Sequence, residues 1–208
     1  MSNGRPPAAE PAHLSAVLRA KVSDVMVEKD IPTILSRIIH LRLVYDDQAA
    51  DLPATLILKT GLPRTMQPDW NGGRDEVAFY TRIAPALQGG IVPHCYEAHH
   101  DPASGAWHLL LENLSDTHAL PTQWPLPPTQ AQCEMILNAR SQLHAAWWDH
   151  PGLGVAAGER ACAKSLEAYL GRVERALATV SDRLGDELST ERRALFERFI
   201  QAAPKLSP

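Results

Sequence analysis

Two charged side chains, Lys59 and Glu76, stand out for where they lie. Lys59 ends an apolar run, Leu56-Ile57-Leu58, and Glu76 opens a helical pattern 17 residues later. An ammonium at a strand end neutralises anionic oxygens such as those of a phosphate, and a carboxylate on a packed helix can hold that ammonium in place. A plainer reading stands beside this one: a strand-edge cation, and an acid that with Asp75 fills a helix's first turn, where negative charge suits the helix dipole. Lys–Glu pairs are common, so spacing alone favours the plainer reading.

Other residues with chemical potential lack partners at useful spacing. His99-His100-Asp101 falls in a turn between two strand-like runs, and His144, Asp149 and His150 lie on or after a helical run; neither set is followed by a suitably placed Asn. Trp147-Trp148 could line a substrate pocket, though helix packing accounts for it more simply. There is no GxSxG elbow for hydrolase chemistry. The nine histidines have no Cys or carboxylate neighbours at ligand spacing, so no metal site is expected. Cys95, Cys133 and Cys162 are odd in number and far apart, which reads as reduced buried thiols rather than disulfides.

Alternating and helical periods supply the elements that must position Lys59 and Glu76. Residues 1–12 are Pro- and Ala-rich and predict a mobile tail, followed by a helix over 13–21. Val22–Glu28, with Val25 and Val27 facing one way, Ser36–Tyr45, and Ala54–Thr60 predict a three-stranded antiparallel meander. In the second run Ile39, Leu41, Leu43 and Tyr45 alternate against His40 and Arg42. Residues 61–73 predict a loop, and Arg74–Leu87 a helix that kinks or ends near Ala84 because of Pro85. His94–His100 and Trp107–Glu112 predict a second hairpin across Asp101-Pro-Ala-Ser-Gly105. After a Pro-rich connector over 115–128, Thr129 and Gln132 match a capping box. The helix they start directs Ile136, Leu143 and Trp147 inward; a second carries Leu166 to Leu184, and a third buries Leu195, Phe196, Phe199 and Ile200. Strands first and helices afterwards predict an α+β protein in two parts.

Net charge is −4 and the basic residues are scattered, which leaves no cationic field for nucleic acid or an anionic membrane. No leader pattern or bilayer-length apolar run is visible, so a cytoplasmic location is expected.

Taken in order, "LILKTG", "EVAFYTRIAPAL", "VPHCYEAHHDPASGAWHLLLENLSDTH" and "LHAAWWDHPGLG" resemble the aminoglycoside phosphotransferase and choline kinase-like superfamily, its ecdysteroid kinase-like group most of all. The resemblance runs from about Leu14 to Ala203. It implies a protein-kinase-like fold: a five-stranded antiparallel N-lobe with one helix over 13–114, a connector over 115–128, and the start of a helical C-lobe over 129–208. It implies ATP as cofactor, with Mg²⁺ in intact members, and Lys59 as the phosphate-contacting lysine with Glu76 as its helix partner. By the same resemblance Glu112, Asn113 and Leu114 are hinge positions that meet the adenine, and Lys29–Ser36 is the loop over the phosphates, with Thr33 and Ser36 as hydroxyl donors. Trp107–Leu114 equally reads as a buried central strand, and both readings can hold together.

Two departures follow. The Lys29–Ser36 segment contains no glycine, and Asn113 stands where an acid often follows the hinge Glu. The His-x-Asp…Asn catalytic loop and the second metal-binding Asp of the family are not found, so catalytic and metal residues are expected to be absent and the chain is expected to be inactive alone. The expectation is a phosphotransferase cut off before its catalytic loop, or one half of a split enzyme. The alternative is a non-catalytic nucleotide-binding or regulatory module, with a protein partner or self-association through exposed helices.

Overall fold

The computed structural model describes residues 5–46, 51–62, 72–87, 90–118, 128–152, 154 and 163–205. The fold is α+β, with a five-stranded antiparallel sheet and five α-helices among the described residues. The chain divides into two compact units, Met1–Gly158 and Glu159–Pro208, so the helix after the connector belongs with the sheet rather than with the helices that follow.

In the first unit, a 3-10 turn (Pro7–Ala9) and helix α1 (Pro11–Leu18) precede strands β1 (Val22–Pro32), β2 (Ser36–Tyr45) and β3 (Thr55–Gly61). Helix α2 (Gly72–Ala78) continues as a π turn (Phe79–Ile83) and a 3-10 turn (Ala84–Ala86) before β4 (Cys95–His100) and β5 (Trp107–Glu112). The strand order is β1-β2-β3-β5-β4, which puts β3 at the centre and β4 at an edge.

Antiparallel register sends alternate residues to opposite faces. On the α1 side, Leu14 packs with Val25, Ile39, Leu41, Leu43, Leu56, Leu58 and Leu110. On the α2 side, Val77 packs with Trp107, Leu109 and Leu111, supported by Ile57 and Tyr80. The alternation expected in β2 holds, since Ile39, Leu41 and Leu43 are buried together.

Several expectations need correction. Residues expected as a tail include the Pro7–Ala9 turn, whose Ala8 and Ala9 are buried; Pro7 and Pro11 sit in first-turn positions that need no N–H donor. Helix α1 ends at Leu18, where Arg19 adopts a left-handed cap, rather than at Lys21. Val25 is buried but Val27 is exposed, because β1 is an edge strand with a register irregularity between Val27 and Lys29. The break expected near Ala84 is present, in contrast: the π turn ends at Ile83 and Pro85 lies in the closing 3-10 turn, as its missing N–H requires.

Helix α3 (Gln130–Trp147) begins with both bonds of the capping box, Gln132 N–H to Thr129 Oγ1 and Thr129 N–H to Gln132 Oε1. Trp147 is buried on it and Ile136 is exposed, contrary to the expected inward face. The second unit holds α4 (Ala163–Leu184) and α5 (Thr190–Ala202), the latter capped by Ser189. There Leu195, Phe196 and Phe199, which helical period predicts on an inward face, are exposed, as the expectation of exposed helices allows. Two helices alone cannot enclose an apolar stripe on both. Among the described residues no helix is long and apolar enough to cross a membrane. The expected loop 61–73, the connector 115–128 and Cys162 fall largely or wholly outside the described residues.

Candidate functional site

Lys59 and Glu76 meet. In the sheet Lys59 stands opposite Ile38 of β2 and Leu109 of β5, which points it, like Ile57, towards α2. Its Nζ lies 2.5 Å from Glu76 Oε1, with the two side chains 25% and 28% exposed. The pair is therefore sheltered by the sheet and α2 while remaining open to a ligand. An ammonium that gives one proton to a carboxylate keeps two N–H donors for anionic oxygens.

A tight backbone approach sets this distance. Trp107 of β5 lies against Gly61 and Gly73, so that a Cβ on Gly61 would sit 2.6 Å from its Nε1 and one on Gly73 would overlap the indole. Gly73 is at the start of α2, and its lack of a side chain lets the helix settle onto the sheet deeply enough for Glu76 to reach Lys59. Val77, next to Glu76, is buried against the same face.

Tyr80 lies one helical turn beyond Glu76. Burial, with smaller contributions from Cys95 and Glu76, pushes its hydroxyl up to about 12, so it remains a neutral donor. Burial likewise pushes the Cys95 thiol up to about 11, which leaves it unreactive at neutral pH. These two side chains and Glu112 line a cavity of about 390 Å³ together with Leu87, Ile91 and Pro93. A second cavity, about 510 Å³, lies between Phe79 and Ile83 and the α3 residues Leu143 and Trp147. The buried Trp147 Nε1 has no hydrogen-bond partner, and Trp148 is exposed.

The expected hinge residues are the last of β5, Glu112, and the two that follow it, and several of their groups are already committed. Glu112 N–H donates to the His94 carbonyl, and the Glu112 carboxylate accepts from His94 N–H. Asn113 donates from Nδ2 to Thr55 Oγ1, tying the end of β5 to the start of β3, and accepts from Ser115 N–H. The Leu114 carbonyl accepts from Thr117 and His118 N–H. Asn113 thus has a structural use, its side-chain amide joining the Thr55 hydroxyl to the Ser115 N–H.

The expected phosphate loop is shorter than the sequence implies. Lys29–Pro32 belong to β1, and the turn is Thr33–Leu35. Thr33 Oγ1 accepts from Leu35 and Ser36 N–H and donates to the Ser36 carbonyl, with Ser36 Oγ 3.1 Å away. Ser36 is buried and pairs with Gly61, two residues beyond Lys59. Both hydroxyls therefore close the hairpin. Asp101 does similar work in the β4–β5 turn, accepting from Ala103 and Ser104 N–H.

One constellation is gathered only by the tertiary structure. His13 of α1 and His108 of β5 place Nε2 at 2.7 and 2.8 Å from the same oxygen, Glu97 Oε2 of β4. Burial alone would raise the Glu97 pKa, but hydrogen bonds from His108 and His13 outweigh it and hold the carboxyl below its ordinary value. With sequence separations of 84 and 11 residues, the set carries no local ligand spacing. The legible part of the signal was the β4–β5 register, in which Glu97 and His99 alternate opposite Leu110 and His108. No protein-family model matches the chain, and no curated protein matches it.

Proposed function

We propose that this chain binds a nucleoside triphosphate, in the manner of the nucleotide-binding lobe of a kinase-like small-molecule phosphotransferase. The observation that carries the reading is the Lys59–Glu76 ion pair, formed between the central strand and the helix packed on it. Lys59 neutralises phosphate oxygens, Glu76 keeps its ammonium oriented, and Gly73 against Trp107 holds the two at bonding distance. Support comes also from the order of elements: three meander strands, a helix, a hairpin, and a strand end leading into a connector. With Thr33 and Ser36 engaged in the turn, phosphate contacts fall mainly to Lys59.

The groups that carry out transfer in the resembled family, a catalytic Asp and the Asn and Asp that hold Mg²⁺, have no counterpart pattern in these 208 residues. The proposal therefore extends to binding ATP, and substrate turnover is expected only with a chain that brings those groups. A second reading, a regulatory module with a protein partner, is favoured by the exposed Leu195, Phe196 and Phe199 of α5. Adding a chain that carries the missing loop restores turnover in the first reading and not in the second.

Calorimetric titration with ATP and Mg²⁺, beside a Lys59→Ala variant, tests binding. Saturable binding that the variant loses supports the proposal; a folded parent that takes up no ATP overturns it.

A further inference from the structure

We propose that His13, Glu97 and His108 form a binding site for a single divalent transition-metal ion of the Zn²⁺ type, on the α1 face of the sheet. The three ligand atoms come from α1, β4 and β5 and all lie within 4.8 Å of one another. An ion bound to two imidazole nitrogens and a carboxylate oxygen at about 2.0–2.2 Å holds them roughly 3.4 Å apart in tetrahedral geometry. The two His–Glu contacts, now 2.7 and 2.8 Å, open by well under an ångström to admit it.

Two imidazoles and a carboxylate suit Zn²⁺ and its first-row neighbours rather than Mg²⁺ or Ca²⁺, which prefer all-oxygen shells. Without an ion, one carboxylate oxygen serves both rings. The ion takes the place of the two ring protons that face it, and each neutral ring then carries its proton on Nδ1. His13 and Glu97 are 35% and 26% exposed, which gives the ion a way in from solvent. A water completes the shell, or His99, whose ring lies 5.3 Å from that of His108.

The site lies on the opposite face from Lys59 and Glu76, since His13 belongs to α1 and Glu97 pairs across the strands with Leu110 of the α1-side core. Its failure and that of the nucleotide proposal are therefore separable. A bound ion pins α1 to the β4–β5 hairpin.

Zn²⁺ is titrated calorimetrically into the full chain after chelator treatment, and Co²⁺ is added in parallel for its visible spectrum. The expected result is one saturable ion per chain, intense low-coordinate Co²⁺ bands, and a thermal midpoint that rises with Zn²⁺ concentration. His108→Gln and Glu97→Gln each weaken binding at least about tenfold, because loss of even an outer partner of a metal site costs about 10–100-fold. His118→Gln, on an exposed turn, binds like the parent. A parent that binds no ion saturably, weak six-coordinate Co²⁺ bands, or His108→Gln and Glu97→Gln variants that bind as the parent does would each overturn the proposal. Should His108→Gln fail to fold, the parent's Co²⁺ spectrum and the Glu97→Gln variant still decide.

Discussion

On the α1 side of the sheet, Leu14, Val25, Leu41, Leu56, Leu58 and Leu110 are completely buried, and at the edge His13 meets Glu97 and His108. On the α2 side four residues make up the buried cluster, and a lysine, a glutamate and a tyrosine hydroxyl sit at its margin. Both faces belong to the same five strands, so backbone pairing does not distinguish them. Away from that edge, the α1 face is saturated with aliphatic contacts that hold the fold. The α2 face leaves charge within reach of a ligand, and its packing depends on two glycines beneath one indole.

The widest gap between the faces should appear in stability. Leu58→Ala, on the α1 side, is expected to cost about 2–5 kcal/mol in urea unfolding through lost burial and a residual cavity, with ATP affinity of the folded fraction unchanged. Gly73→Ala, on the α2 side, is expected to cost about 1–3 kcal/mol by overpacking against Trp107 and to weaken ATP binding as well, because Glu76 is carried away from Lys59. Equal affinity in the Gly73→Ala variant and the parent would show that α2 does not set the site. Lys59→Ala should change stability by only about 1 kcal/mol, as befits a partly exposed ion pair, while abolishing ATP binding. A large stability loss there would instead make the pair structural.

The smallest effect concerns Cys95. With its thiol pushed up to about 11, the reactive thiolate is the minor form below that pH, amounting to roughly 0.1% at pH 8. Alkylation by iodoacetamide should therefore be slow at pH 8 and accelerate about tenfold per pH unit towards 11. Fast labelling at pH 8 would mean that the cavity beside Glu112 is more open than described.

How legible each feature was in the sequence follows from the range of the interactions that make it. The second strand announced itself because Ile39, Leu41 and Leu43 alternate against polar residues, and the α3 capping box because both partners lie within four residues. The Asp101 turn is equally local. Lys59 and Glu76 could be nominated as a pair, but their meeting depends on how deep α2 sits, which Gly73 decides through Trp107, a contact with no local trace. Lys29–Pro32 read as a loop because a polar, glycine-free edge segment lacks the apolar alternation that marks a strand, and only pairing with β2 reveals it. The His13–Glu97–His108 cluster was invisible for the same reason: it needs the β4–β5 register and the docking of α1 at once. Period marks an apolar face on α5 without saying what covers it, and Leu195, Phe196 and Phe199 stay exposed.

Methyl NMR during titration with ATP and Mg²⁺ tests the division of labour between the faces most directly. The methyl groups of Ile57, Val77, Leu109 and Leu111 report on the α2 side, and those of Leu14, Leu41, Leu56 and Leu58 on the α1 side. The account predicts saturable shifts in the first set, little change in the second, and loss of both the shifts and the saturation in Lys59→Ala. Shifts confined to the α1 set, or α2-side shifts that persist in Lys59→Ala, would contradict it.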